Sequence, residues 1–314
     1  MSPFRIVFIS TSSAETAERW GEPLRAALPE DELHFEVDAV SPDDVDVVLT
    51  AAPASGALAP FTRLKLIQSL WMGVETLVTD PTLPRDVPLA RMIDPSMTRA
   101  MVETVAAHAL NAHLRLDDLA RQQREARWKM LRNPTTDART VGILGMGELG
   151  RAVAEMLLTL GFRVRGWSRT PKEIDGVDSF AGAERLPEFL AGSEILVVLL
   201  PLTPQTAGMI DAAFLARLPD GAVLINLARG GLVDDEALLG VLDSGRLRHA
   251  VLDVFNVEPL PPEHRYWHHA RVTVTPHMAA LTNPHTAAAF VAENLRRLRA
   301  GERLLGLVDR TRGY

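Results

Sequence analysis

The stretch Thr140–Gly150, TVGILGMGELG, constrains the fold of this chain more than any other. Val141, Ile143 and Leu144 form a short apolar run that reads as a buried parallel strand, and Gly145, Gly147 and Gly150 follow at G-x-G-x-x-G spacing. Leu149, Val153, Met156, Leu157 and Leu160 then recur at helical spacing, Gly161 closes the helix, and Arg163–Trp167 supplies a second apolar strand. That strand–turn–helix–strand context is what a dinucleotide-binding turn requires. The first glycine allows a tight turn, the second lets a pyrophosphate approach the backbone, and the third lets helix pack close to strand. The helix N-terminus offers free N–H groups and positive dipole to the phosphates. The candidate cofactor contacts here are Gly145, Met146, Gly147, Glu148, Leu149 and Gly150.

Composition removes several rivals. With 314 residues the chain has room for two domains, and 47% hydrophobic against 23% charged residues is ordinary for a globular protein. A net charge of -7 argues against nucleic acid as a partner. The absence of cysteine removes disulfides, thiolate metal sites and cysteine nucleophiles. Met1–Ser10 lacks a signal-peptide pattern, and the longest apolar stretch, near Ile195–Leu200, is too short to span a bilayer. A cytoplasmic protein without a membrane partner is expected.

Before the fingerprint, Phe4–Ile9, His34–Val40, Val45–Leu49 and Leu64–Leu70 read as strands and Glu15–Leu28 as an amphipathic helix, an α/β unit in its own right. At Leu70-Trp71-Met72-Gly73-Val74 a strand ends at a glycine ahead of a helical segment, where backbone N–H groups can hold a carboxylate. Read alone, these residues favour a plain strand-to-helix turn. Asp94-Pro95 opens a long helix with Met101, Val105, Ala109, Ala112 and Leu116 on its apolar stripe, predicted to run to about Arg124. A polar, turn-rich segment, Asn133–Arg139, leads to the fingerprint.

After the second fingerprint strand comes Ser168-Arg169-Thr170-Pro171-Lys172, where an NAD-preferring site usually places Asp or Glu for the ribose 2′-OH. A hydroxyl and two cations suit a 2′-phosphate, which Arg grips bidentately; a solvated basic turn is the plainer alternative. Further strands end at Leu200-Pro201, at Ala228-Arg229, at Asp253-Val254 and at Pro276-His277, so polar residues recur at the edge where open α/β sheets bind ligands. Arg229, Glu258 and His277 are the set needed to reduce the ketone of a 2-keto acid: a carboxylate clamp, a proton donor, and an acid that favours the donor's charged form. Taken singly, each also reads as an ordinary turn, surface or strand-end residue. His264, His268 and His269 cluster, but Pro259, Pro261 and Pro262 disfavour the regular helix that would align them, and no metal is expected.

Gly145–Gly150, Asn226-Leu227-Ala228-Arg229-Gly230, Leu252-Asp253-Val254-Phe255 with Glu258-Pro259, and Thr275-Pro276-His277 resemble, in order, the motifs of the D-isomer-specific 2-hydroxyacid dehydrogenases. Trp167–Thr170 and the end of the chain, Val308-Asp309-Arg310 and Arg312-Gly313-Tyr314, are similar to the glyoxylate/hydroxypyruvate reductase A branch. The resemblance implies two Rossmann-like doubly wound parallel-sheet domains with the active site in the cleft between them. Residues 1–98 with 284–314 would form a discontinuous substrate domain, and 99–283 the NADP-binding domain. It implies Arg229 on the substrate carboxylate and carbonyl, His277 as acid/base and Glu258 orienting it. It implies that Trp71, Met72, Gly73 and Val74 are the carboxylate-binding loop, reversing the preference above, and that Asp253 lies near the nicotinamide. Ser168, Arg169, Thr170, Lys172, Leu200, Pro201, Ala228, Asp253 and His277 complete the expected cofactor contacts. The expected activity is NADP(H)-dependent reduction of small 2-keto acids, with NADPH preferred and NAD as second candidate cofactor, in a homodimer. The rival from another class is a dinucleotide-sensing, corepressor-like binding protein of the same fold. A formate-dehydrogenase-like reading is weaker, since Gln is expected there in place of Glu258.

Overall fold

A computed structural model describes residues 3–11 and 13–310 of the chain, residues 13–16 through their backbone alone; Arg312, Gly313 and Tyr314 lie outside the described residues. The chain divides into two units, residues 1–97 with 282–314, and residues 98–281.

The first unit opens with β1 (Arg5–Ser10), α1 (Ser13–Ala27), β2 (Glu32–His34), β3 (Val47–Ala51), β4 (Leu66–Ser69), α2 (Glu75–Thr79) and β5 (Leu89–Ala90). All pairings are parallel, in the order β2-β1-β3-β4-β5. β3 and β4 are buried throughout, as expected of strands covered on both faces. The strand predicted at His34–Val40 does not form beyond its first residue. β2 is an edge that pairs only from Glu32 to His34, and Val37–Ala39 winds into a 3₁₀ turn with no buried residue.

Next come α3 (Pro95–Leu114) and α4 (Leu116–Arg124). The single helix expected to reach Arg124 is broken at Arg115, which adopts the left-handed conformation at φ 59. The second unit continues with β6 (Thr140–Leu144), α5 (Glu148–Thr159), β7 (Arg163–Ser168), β8 (Val177–Ala181), α6 (Gly182–Ala191) and β9 (Ile195–Val198). It is completed by α7 (Ala212–Leu215), β10 (Ala222–Asn226), α8 (Asp235–Asp243), β11 (Leu247–Leu252) and β12 (Val272–Val274). The parallel order is β12-β11-β10-β9-β6-β7-β8, so the winding reverses between β6 and β9. Strand residues alternate between two cores: Leu144, Leu196, Val198 and Leu224 face one, Val141, Ile143, Val197 and Ile225 the other, with Val105 and Ala109 of α3 on the latter side.

Register sets where chemistry can occur. Leu144 pairs with Val198, Val198 with Asn226, Asn226 with Leu252 and Leu252 with Val274. Five strands therefore end at one level, and the residues that follow them share one edge. The chain then returns to the first unit through α9 (Pro284–Ala300), where Thr286 donates to Asp94 and Asn294 donates to Gln68 on β4 at 2.7 Å. Among the described residues no helix is long and apolar enough to cross a membrane.

Candidate active site

Each fingerprint glycine meets a different surrounding. Gly145 leaves β6 at φ +115, and a Cβ there would lie 2.7 Å from the Leu199 carbonyl oxygen. A Cβ on Gly150 would collide with the carbonyl oxygen of Gly145. Gly147, the N-cap of α5, has nothing within 4 Å of a would-be Cβ, and no side chain caps the helix. The first α5 amides and the positive end of the helix dipole thus face open space at the reversal point of the sheet, which fits a dinucleotide pyrophosphate. Glu148 is exposed and Leu149 half-buried, whereas the Met146 side chain is buried against Gly166, so only the Met146 backbone is left to serve a ligand. Leu200 and Pro201 are half-buried just beyond β9. At the end of β7, Ser168 donates to the Thr170 carbonyl at 2.7 Å, and Arg169, Thr170 and Lys172 are exposed. A hydroxyl and cations stand there in place of an acid.

The loop after β10 is shaped by Asn226, whose amide oxygen accepts from Ala228 N–H at 3.1 Å and whose amide donates to the Arg229 carbonyl at 3.0 Å. Arg229 is half-buried, its guanidinium donating to the Ala228 carbonyl at 2.6 Å. Gly230 lets this loop lie against the next one, since a Cβ there would collide with the Phe255 carbonyl group. Phe255 N–H donates to Glu258 Oε1 at 2.9 Å, and Glu258 Oε2 lies 2.7 Å from His277 Nδ1. Side-chain exposures of 52% for His277 and 35% for Glu258 mean the pair adds little to stability; it sets the ring's orientation. His277 Nε2 has no protein partner among the described residues. His277 itself sits at φ 49, an unfavourable region for a residue other than glycine and one that clusters at functional sites. Asn226 and Gly230 escaped notice as builders of the site, although both stood inside a recognised motif; only their contacts reveal what they do.

In the first unit, Ser69 Oγ accepts from Trp71 N–H at 3.1 Å and Met92 N–H donates to the Trp71 carbonyl at 3.0 Å, fixing the turn after β4. Among the described residues nothing accepts from the N–H groups of Met72, Gly73 and Val74. Trp71 is 48% exposed and is not a core residue. His264, His268 and His269 surround a 3₁₀ turn, with His264 and His269 facing Asp235 and Asp243 respectively. Among the described residues no group of three could hold a metal.

Residues 106–279 match the model of the D-isomer specific 2-hydroxyacid dehydrogenase NAD binding domain. The chain belongs to this family. It is 41% identical over 303 residues to a glyoxylate/hydroxypyruvate reductase A of Yersinia enterocolitica, covering 95% of this chain and 96% of that relative. A D-isomer specific 2-hydroxyacid dehydrogenase of Xanthobacter autotrophicus Py2, solved with NADPH and MES, superposes with a TM-score of 0.94 at 44% identity, over 99% of this chain and 100% of that one. The NADPH-dependent glyoxylate/hydroxypyruvate reductase of Sinorhizobium meliloti, solved with NADP and sulfate, gives 0.92 at 34% identity, over 99% and 100%. For this 2-hydroxyacid dehydrogenase the matched segment contains β6 through β12, hence the fingerprint turn, Arg229, Glu258 and His277.

Proposed function

We propose that the chain reduces small 2-keto acids such as glyoxylate and hydroxypyruvate to 2-hydroxy acids, of D configuration where the keto acid is prochiral, with NADPH preferred. One observation carries the reading: the 2.7 Å contact of Glu258 with His277 Nδ1 leaves Nε2 without a protein partner, at the sheet edge that also carries the open Gly147 turn and Arg229. Residues 1–98 with 284–314 are assigned as substrate domain and 99–283 as NADP domain. Gly145–Gly150 would hold the pyrophosphate, and Ser168, Arg169, Thr170 and Lys172 the 2′-phosphate. Leu200, Pro201, Ala228 and Asp253 are assigned to the rest of the cofactor. NADPH, when bound, supplies the hydride.

The protein's own residues must then meet the charge left on the carbonyl oxygen, by a proton and by positive electrostatics already in place. The His277 imidazolium gives its Nε2 proton to that oxygen, completing the hydroxyl. Glu258 holds the ring by Nδ1. Arg229 grips the substrate carboxylate and stabilises the developing oxyanion. The amides of Met72, Gly73 and Val74 are assigned to the substrate carboxylate, and the exposed Trp71 to limiting substrate size. The NADPH-dependent relative of Sinorhizobium meliloti and the absence of an acid at the end of β7 support the cofactor choice. We also assign a cytoplasmic location and a homodimer, the homodimer supported by the outward-facing leucines of α4. The test is His277→Gln assayed with a keto-acid panel and NADPH. Turnover should fall by roughly 10²–10⁴-fold with NADPH still bound; near-parental turnover would show that another group supplies the proton.

A further inference from the structure

β4 ends at Ser69, and the next residue, Leu70, is fully buried, so its main-chain carbonyl needs a donor within the protein. Its N–H is met by the Thr50 carbonyl of β3 at 2.8 Å. In a continuing parallel ladder the carbonyl would meet the next N–H of β3. β3 ends at Ala51, however, and Ala52 leaves it in the left-handed region at φ 46. Among the described residues no main-chain N–H reaches the Leu70 carbonyl. The donor comes from 212 residues further along the chain: Thr282 Oγ1 donates to it at 3.1 Å, buried from solvent. The Met97 thioether lies 3.6 Å from the same hydroxyl but is much the weaker acceptor, so the carbonyl takes the proton. Thr282 is itself held firmly. Arg19 of α1 donates to its carbonyl at 3.1 Å, and the next residue, Asn283, caps α9 by accepting from His285 N–H at 3.0 Å. On the other side of the same planar peptide, Trp71 N–H donates to Ser69 Oγ at 3.1 Å. The Leu70–Trp71 peptide is thus gripped at both ends, immediately ahead of Met72, Gly73 and Val74.

We propose that Thr282 is a positioning residue for the keto-acid substrate: its hydroxyl fixes the Leu70–Trp71 peptide and thereby the course of the loop that presents the amides of Met72, Gly73 and Val74. This rests on the reading of those amides as the carboxylate site. A carboxylate contact is made alike in ground state and transition state, so losing the hydroxyl should act on KM more than on kcat.

The experiment compares the parent with Thr282→Val, Thr282→Ala and Thr282→Ser by three readouts. These are glyoxylate kinetics, NADPH titration by fluorescence, and amide NMR of the NADPH-saturated protein labelled with ¹⁵N-glycine. Gly73→Ala identifies the Gly73 signal, and oxalate, a dicarboxylate that takes no hydride, is the probe ligand. In the parent, oxalate should move the Gly73 signal. Thr282→Val keeps the shape of the side chain but leaves the buried Leu70 carbonyl without its donor. It should displace the Gly73 signal before oxalate is added and raise the glyoxylate KM about tenfold, with kcat and NADPH affinity within about threefold of parental. Thr282→Ser, which keeps the hydroxyl, should hold both signal and KM at parental values. If Thr282→Val does not fold, the pair Thr282→Ala and Thr282→Ser, which differ by that one oxygen, decides. The proposal is overturned if either the Gly73 signal or the glyoxylate KM stays parental in the hydroxyl-free variant, or if the loss lies in NADPH affinity. A parental Gly73 signal that ignores oxalate would overturn the carboxylate-loop reading and with it the substrate role of Thr282. A displaced signal in Thr282→Val would then still show that the hydroxyl sets the loop.

Discussion

A methyl group added at Gly145 would meet the Leu199 carbonyl at 2.7 Å in a left-handed backbone, whereas one added at Gly147 would meet nothing within 4 Å. Gly145→Ala should therefore lower stability by roughly 1–3 kcal/mol. Gly147→Ala should leave the denaturation midpoint at its parental value but weaken NADPH about tenfold, about 1.4 kcal/mol, by filling the space assigned to the pyrophosphate. Denaturation and NADPH titration of the two variants separate a packing glycine from a ligand glycine; parental affinity in Gly147→Ala would sink the assignment. At the end of β7 the charge decides. Arg169→Asp places an acid where a 2′-phosphate is assigned, so the ratio of kcat/KM for NADPH over NADH should drop at least about tenfold, the worth of one charge-assisted contact. An unchanged ratio would show that Arg169 does not read the cofactor.

At the scale of elements, α4 is inverted: it buries Asp118 and Gln122 and exposes Leu116 (46%) and Leu119 (40%). The cause lies beneath it. Arg248 on β11 binds Asp117 with both carboxylate oxygens, at 3.0 and 3.1 Å, and Arg115 and Arg121 clasp Asp118. The left-handed break at Arg115 turns those acids inward and the leucines outward. Leu114, Trp128 and Met130 are exposed as well, and exposed apolar surface of this kind is what protein interfaces use. If the proposed homodimer is built on this surface, the double change Leu116→Asp with Leu119→Asp should give a folded monomer, read by light scattering with circular dichroism as the folding check. An unchanged mass would show that the proposed dimer does not use this surface.

For the molecule as a whole, the buried His249 and the half-buried His108 impose a pH limit. Burial pushes His249 below the ordinary imidazole range despite the opposing charge of Asp117, and pushes His108 down despite Asp253. Both are proton-poor when folded, while the unfolded chain takes up protons near pH 6.5. Between the folded values and 6.5 the unfolded state binds more protons, so stability falls as pH falls through that window. Each imidazole contributes at most about 1.4 kcal/mol per pH unit. Urea midpoints should be level from pH 8 to 7 and decline from 6.5 to 5.5, less steeply in His249→Gln; a midpoint that rises toward pH 5.5 would contradict this.

The sequence by itself determined the α/β class, the glycine turn and the strand ends carrying Arg229, Asp253 and His277, because apolar period and glycine spacing act within a few residues. It could not show that β2 stops at His34, since an exposed edge alternates like a strand yet finds no second partner. Nor could it show the break at Arg115, a residue type that favours helix. Tertiary structure alone decided that five strands end level, that Gly230 lies under Phe255, and that Glu258 reaches His277 across 19 residues. Those relations depend on how distant segments pack and register against one another, and no local propensity encodes them.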